Sequence, residues 1–425
     1  MTQRWIPVFI LASTGLIQAQ PKAPEHWVAT WATAQALVRP IPPPRPAGAP
    51  APAATPSGPA TTPQVVNSRG FTNQTVRMML RTSLAGKRVR IRLTNSFGGT
   101  PITVGAAHIA LRAKDSAIVP GSDRALTFNG KPGTMVGPGW MLASDPVELD
   151  IPAVTEVAVS LFFPGETGAP TSHGTALHNT YISKEGDVTA AAEIAEPVIT
   201  QSYYFLAGVD VVGDADAGTL VTFGDSITDG ARSSNESDHA WPALLAARLA
   251  ANKATAKIGV ANMGIGGNRV LRDGTGASSL ARWDRDVLSQ PGVKWVTLME
   301  GINDIGREAS VPAETTTPDE LIGIYKQLIA QAHARGVKVI GCTLTPYEGA
   351  GYARENGEKT RTAVNEWIKT SGAFDAVIDF EAATRDPQNP KKVRADFDPG
   401  DHLHPNDAGY EAMANAIDLK IFTKK

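Results

Sequence analysis

Between Asn67 and Val212 apolar and polar positions alternate residue by residue in short runs. Val76, Met78 and Leu80 interleave with Arg77, Met79 and Arg81, and Val89, Ile91 and Leu93 with Arg88, Arg90 and Arg92. A period of two residues is the pattern of antiparallel strands with one apolar face. Turn sequences such as Ala85-Gly86-Lys87 and Asn129-Gly130 separate the runs. An initial strand is predicted over 27–33, and others over 102–111, 147–151, 157–163 and 203–211. Many short strands without a long helix predict a β-sandwich, jelly-roll-like, over residues 21–212.

Past the acidic stretch Gly213 to Gly218 the pattern changes. Apolar runs at 219–223, 257–262, 295–299, 337–343 and 376–380 alternate with helical spacing at 241–251, 278–288, 318–335, 360–370 and 406–421. The helix over 318–335 is the clearest. Thr317 suits its N-cap, Pro318 its first position and Glu320 a capping box, and Gly336 follows as a stop. Strand–helix alternation predicts an α/β domain with a parallel, doubly wound sheet over residues 213–425.

Composition refines this picture. A chain of 425 residues accommodates two domains, and 42% hydrophobic with 19% charged residues is ordinary for a globular protein. The formal net charge of -2 gives no electrostatic case for nucleic acid or for an anionic membrane surface. Arg4 followed by the short apolar run Trp5 to Ile17 and the polar Gln18-Ala19-Gln20 reads as a signal peptide over residues 1–20, hence a secreted or periplasmic protein; the competing reading is an uncleaved anchor. Residues 39–64, rich in Pro, Ala, Gly and Thr, read as an extended insertion. Cys342, the sole cysteine, lies in an apolar strand-like run and is expected to be a buried thiol.

Candidate chemistry collects where the parallel strands end. In an open α/β sheet, ligands bind outside the carboxyl ends of the strands. After the first predicted strand comes Gly224-Asp225-Ser226, after the second Asn262 to Asn268, and after the third Glu300-Gly301-Ile302-Asn303-Asp304; Asp398, Asp401, His402 and His404 follow the last. A serine hydroxyl needs a base to become a nucleophile, and imidazole is the suitable side chain. The imidazole needs a partner that fixes its tautomer, and Asp401 lies three residues before His404. The Ser226 and Gly267 N–H groups and the Asn303 amide can supply donors to an oxyanion. Asp225 is assigned to shaping the turn.

Gly224-Asp225-Ser226-Ile227-Thr228, Gly267, Gly301-x-Asn303-Asp304 and Asp401-x-x-His404-Pro405 together resemble the four blocks of the SGNH (GDSL) hydrolases. The resemblance covers about residues 219–421. It implies a three-layer α/β/α, flavodoxin-like hydrolase domain, Ser226 as nucleophile, His404 with Asp401 as the base pair, and Ser226, Gly267 and Asn303 as the oxyanion hole. Gly264 and Gly266 compete with Gly267 for that role. The upstream region resembles extracellular members grouped with xylan-type acetylesterases. The implied activity is a serine esterase for short acyl groups, with a small ester or an acetylated polysaccharide as substrate and no metal or organic cofactor. The alternatives are a lysophospholipase or general short-chain lipase and, outside enzymes, a carbohydrate-binding protein.

Other features fit less chemistry. His402, His404, Asp398 and Asp401 lie close together but lack a His-Glu-x-x-His metal pattern. The glycines at 264, 266 and 267 do not complete a nucleotide turn, because Arg269 occupies its last place. Arg269 and Arg307 are candidates for the substrate rim, with surface salt bridging as the competing reading. The arginines at 77, 81, 88, 90 and 92 are expected on a solvated strand face, and His173 and His178 as structural or rim residues.

Overall fold

The computed structural model describes residues 1–2, 25–38 and 69–423. The expected signal peptide and the insertion at 39–64 lie outside the described residues.

Two antiparallel sheets form the β-rich half. One runs Trp27–Ala32, Leu206–Val212, Gly86–Thr94 and Met141–Ala143, with Val147–Ile151 also paired to Gly86–Thr94. The other runs Val198–Thr200, Thr180–Ile182, Gln74–Arg81, Glu156–Phe163, Ala106–Leu111 and Arg124–Ala125. The alternating apolar residues of both, among them Val76, Met78, Leu80, Val89, Ile91, Leu93 and Val159, meet in one core. The predicted strand over 102–111 divides at Gly105: Ile102–Val104 pairs with Thr134–Val136, while Ala106–Leu111 pairs with Glu156–Phe163. The arginine face is solvated only in part: Arg81, Arg88 and Arg90 keep some exposure, whereas Arg77 and Arg92 are buried. Arg77 is fully buried, and its guanidinium donates to Ser160 Oγ and to the Ser116, Thr189 and Ala191 carbonyls. Arg90 and Arg92 both pair with the buried Asp210. Where such an arginine is buried, its donors find protein acceptors instead of water.

The α/β half is built on five parallel strands: β1 (Gly218–Gly224), β2 (Ile258–Gly264), β3 (Val293–Met299), β4 (Lys338–Cys342) and β5 (Ala376–Ile378), in the order β2-β1-β3-β4-β5. This is a doubly wound order, with the switch beside β1. Its two faces bury separate cores. One contains Phe223, Trp283, Leu321, Tyr325, Leu328 and Val364. The other contains Trp241, Leu245, Leu249, Tyr410 and Met413.

The helices Trp241–Ala251 and Pro318–His333 follow their predicted spacing, and Thr317 and Glu320 form the expected capping box. Three others differ. Ser279–Trp283 passes into a π turn at Asp284–Leu288. Glu355–Thr370 begins before the expected Thr360, because its first turn is polar and carries Gly357, where a Cβ would lie 2.3 Å from Tyr347 Oη. Asp407–Asn415 ends early, and Asp418 then caps a 3-10 turn over Leu419–Phe422.

The N-terminal strand joins the halves. It pairs with Leu206–Val212 on one side, and Thr33 bridges to Asn262 of β2 on the other. Ser83 Oγ accepts the Val260 N–H at 2.8 Å, and a Cβ at Gly259 would lie 2.3 Å from the Ala29 carbonyl oxygen. An ionic cluster seals the same seam: Arg81 and His178 both reach Asp238 at 3.0 Å, and Arg112 bonds Glu156 and Glu236. No helix among the described residues is long and apolar enough to cross a membrane.

Candidate active site

β1 ends at Gly224, where a Cβ would lie 2.3 Å from the Met299 carbonyl oxygen, so only glycine lets the strand ends approach this closely. The chain then makes one helical turn, Ser226–Asp229. Asp225 caps that turn by accepting the Ile227 N–H at 3.0 Å, the shaping role assigned from the sequence. Burial pushes its carboxyl well above the usual range.

Ser226, at the first position of the turn, faces a loop from the far end of the chain. Its Oγ lies 2.9 Å from His404 Nε2, and His404 Nδ1 lies 2.9 Å from Asp401 Oδ2. Asp401 Oδ1 also accepts the Leu403 and His404 N–H groups, and Arg232 Nε donates to Oδ2 at 2.9 Å. Partial burial works to raise the Asp401 pKa, but the His404 ring and backbone bonds outweigh it and hold the carboxyl below the usual range. Asp401 therefore stays ionised and fixes the proton of His404 on Nδ1, leaving Nε2 as the acceptor toward serine. His402 turns away to Asp398, and both ring nitrogens of His404 are engaged, so these residues do not converge as a ligand set.

The second and third blocks meet beside this chain. In the turn after β2, the Gly264 N–H donates to Asn262 Oδ1 and the Gly266 N–H to Asp229 Oδ2, each at 3.0 Å. Gly267, at φ +73°, has no hydrogen-bond partner for its N–H among the described residues. Of the three glycines it alone keeps a free donor. Asn303 Nδ2 donates to the Asn268 carbonyl at 3.0 Å, which orients the amide and leaves its second N–H available. Gly267, Asn303, Arg269 and Arg307 line one cavity. Both arginines also hold Glu314, Arg269 Nη1 at 2.6 Å and Arg307 Nε at 3.3 Å, the salt bridging that competes with the rim reading.

Sequence reasoning missed the support beneath. Arg282, fully buried, donates to the carbonyl oxygens of Gly224 at 2.9 Å and Met263 at 2.7 Å, and to Glu300 Oε2 at 3.0 Å. Its guanidinium stacks 3.7 Å from the Phe223 ring centroid. It thus clamps the ends of β1 and β2 to the residue after β3. Asp304 accepts the Val270 and Leu271 N–H groups at 2.7 and 2.9 Å, fixing the glycine turn from the other side. Burial pushes the carboxyls up, Asp304 to about 6 and Glu300 to about 7 even beside Arg282. An arginine on the apolar face of a predicted helix was the available signal for Arg282. Cys342 is buried as expected, and burial pushes its thiol up, away from thiolate chemistry.

A doubly wound sheet with a hydrogen-bonded Ser–His–Asp chain at its carboxyl edge defines a class of α/β hydrolase. Residues 222–412 match the GDSL-like lipase/acylhydrolase family. An acetylxylan esterase of Geobacillus stearothermophilus is 28% identical over 213 residues, which is 47% of this chain and 91% of that protein. The solved structure of Axe2, an acetylxylan esterase from the same organism, is 25% identical over 50% of this chain and 96% of its own, with a TM-score of 0.38. LAE5, an alpha/beta hydrolase from the metagenome of Lake Arreo, Spain, is also 25% identical, over 49% and 97%, with a TM-score of 0.38. The α/β half belongs to the GDSL-like lipase/acylhydrolase family, the SGNH hydrolases, and the protein is a carboxylic ester hydrolase.

Proposed function

We propose that this hydrolase is an exported serine esterase that removes short acyl groups, acetyl foremost, from carbohydrate. Ser226 Oγ attacks the ester carbonyl while His404 Nε2 takes its proton. The oxyanion is held by the Ser226 and Gly267 N–H groups and the second Asn303 N–H, each worth about 3 kcal/mol of the barrier. His404 then returns the proton to the leaving alkoxide, and the acyl-enzyme remains. A water molecule, deprotonated by the same nitrogen, attacks the acyl carbonyl, and the acid departs as Ser226 regains its proton. Each half-reaction begins and ends with neutral His404 beside ionised Asp401.

The carrying observation is the unbroken chain from Ser226 Oγ through His404 to Asp401, beside a glycine N–H that no other described residue engages. The acetyl preference is supported by the acetylxylan esterase relative. The polar character of the cavity at Gly267 and Asn303, lined by Arg269 and Arg307, supports a carbohydrate leaving group. Export rests on the sequence of residues 1–20. A sandwich with jelly-roll-like topology for the β-rich half, with a boundary near residue 213, is supported by the core its two antiparallel sheets share.

Turnover of p-nitrophenyl esters of rising chain length, followed by acetate release from acetylated xylan, pectin and peptidoglycan, tests the substrate reading. Acetyl esters should be fastest, and acetylated xylan should release acetate. A preference for long acyl chains or lysophospholipid would favour the lipase alternative instead.

A further inference from the structure

His173 belongs to the β-rich half, yet it is buried against the turn that carries Ser226; it and Asp229 are each only 4% exposed. Its polar contacts are all oxygens that accept. Nδ1 lies 2.8 Å from the Ala34 carbonyl, and Nε2 lies 3.0 Å from Asp229 Oδ1 and 3.2 Å from the Thr175 carbonyl. A neutral imidazole has one N–H and one lone pair, so either tautomer would press a lone pair against an oxygen in a buried site. The imidazolium satisfies both sides. Asp229, in turn, receives the Gly266 N–H on its other oxygen at 3.0 Å, one residue before the free Gly267 N–H.

We propose that His173 is a positioning residue: as an imidazolium from the β-rich half it orients Asp229, which ties down Gly266 and so aims the Gly267 N–H at the reacting carbonyl. The inference rests on the oxyanion role of Gly267 given above. It makes the β-rich half a participant in catalysis. The stacked Tyr203 ring, 6.3 Å away, supports the imidazole face. Of the charged groups around it, Asp229 is in direct contact; Arg81, His178 and Asp238 line the same cavity but pair with one another. Burial alone would lower the His173 pKa, but the attraction and hydrogen bond of Asp229 outweigh it and raise it. The imidazolium therefore persists to higher pH than a free histidine, and the link is lost as pH rises through the raised folded value.

The test is kinetic, on the full chain, with H173Q, D229N and the double variant. Each single change should lower kcat for p-nitrophenyl acetate about a hundredfold, as for a misplaced oxyanion donor, with KM within about threefold. Because both act through one link, the double variant should be no more than about threefold slower than the worse single one. A kcat within about threefold of wild type in either single variant, or losses that multiply to about ten-thousandfold, would overturn the proposal. A second measurement needs no variant. Histidine ring 15N spectra of the wild-type protein in mildly acidic buffer, below the ordinary histidine pKa of about 6.5, should show His173 protonated on both nitrogens, and a neutral ring there would refute it. Failure of the serine reading is seen separately, as hydrolysis that survives S226A whatever His173 does.

Discussion

At the scale of single residues, the site depends on keeping one carboxylate charged and several others buried. Asp401 is held ionised by three N–H donors and the His404 ring. Replacing it with asparagine keeps the shape but presents an N–H or a weaker acceptor to His404. D401N should fold normally, by circular dichroism, and lose up to about ten-thousandfold in kcat, on the precedent of serine proteases; unchanged turnover would remove Asp401 from the mechanism. Ser226, Asp401 and His404 were legible in sequence because nucleophilic chemistry demands those types at strand ends. The choice of Gly267 over Gly264 and Gly266 was not settled by the residues themselves. It depends on which N–H groups are already engaged, by Asn262 and Asp229, and only three-dimensional contacts show that. His173 was illegible for the same reason: its partner lies across the seam between the halves.

At the scale of elements, the periodic segments with their own caps were readable. Pro318–His333 carries its start signals in four consecutive residues. Segments whose limits depend on neighbours were not. One helix carries Gly357 in its first turn because Tyr347 packs over it, and the strand over 102–111 divides because its two parts join different sheets. The clamp by Arg282 is the element-scale feature on which the site's edge depends. R282M removes four donated hydrogen bonds and leaves Glu300 and Asp286 without that partner. Breaking one side of such a buried pair should cost about 3–5 kcal/mol, read as a lower urea midpoint with an unchanged slope. A cost below about 1 kcal/mol would mean that the strand ends hold together without it.

At the scale of the whole molecule, activity and stability should respond oppositely to acid. Protonating His404 removes the acceptor that Ser226 needs, so kcat should fall in acid. Asp401 does not explain that fall: its folded pKa is depressed, so its stabilising contribution is present above its unfolded value of about 3.9 and is lost only below it. Glu300, Asp304 and His173 have raised folded values, so the folded state takes up their protons more readily than the unfolded chain. Stability should therefore hold or rise as pH drops through the range of about 7 to about 6 in which the two carboxyls titrate. Melting temperatures that fall in parallel with kcat, or a flat kcat profile, would contradict this. The division into a β-rich and an α/β half was legible from the change of period near residue 213. The shared seam was not, because Trp27–Ala32 lies far in sequence from both sheets it joins. The most direct measurement is hydrolysis of p-nitrophenyl acetate by the wild-type protein and by S226A, both confirmed as folded. The account predicts that S226A loses at least about a thousandfold in kcat. Equal rates would contradict it.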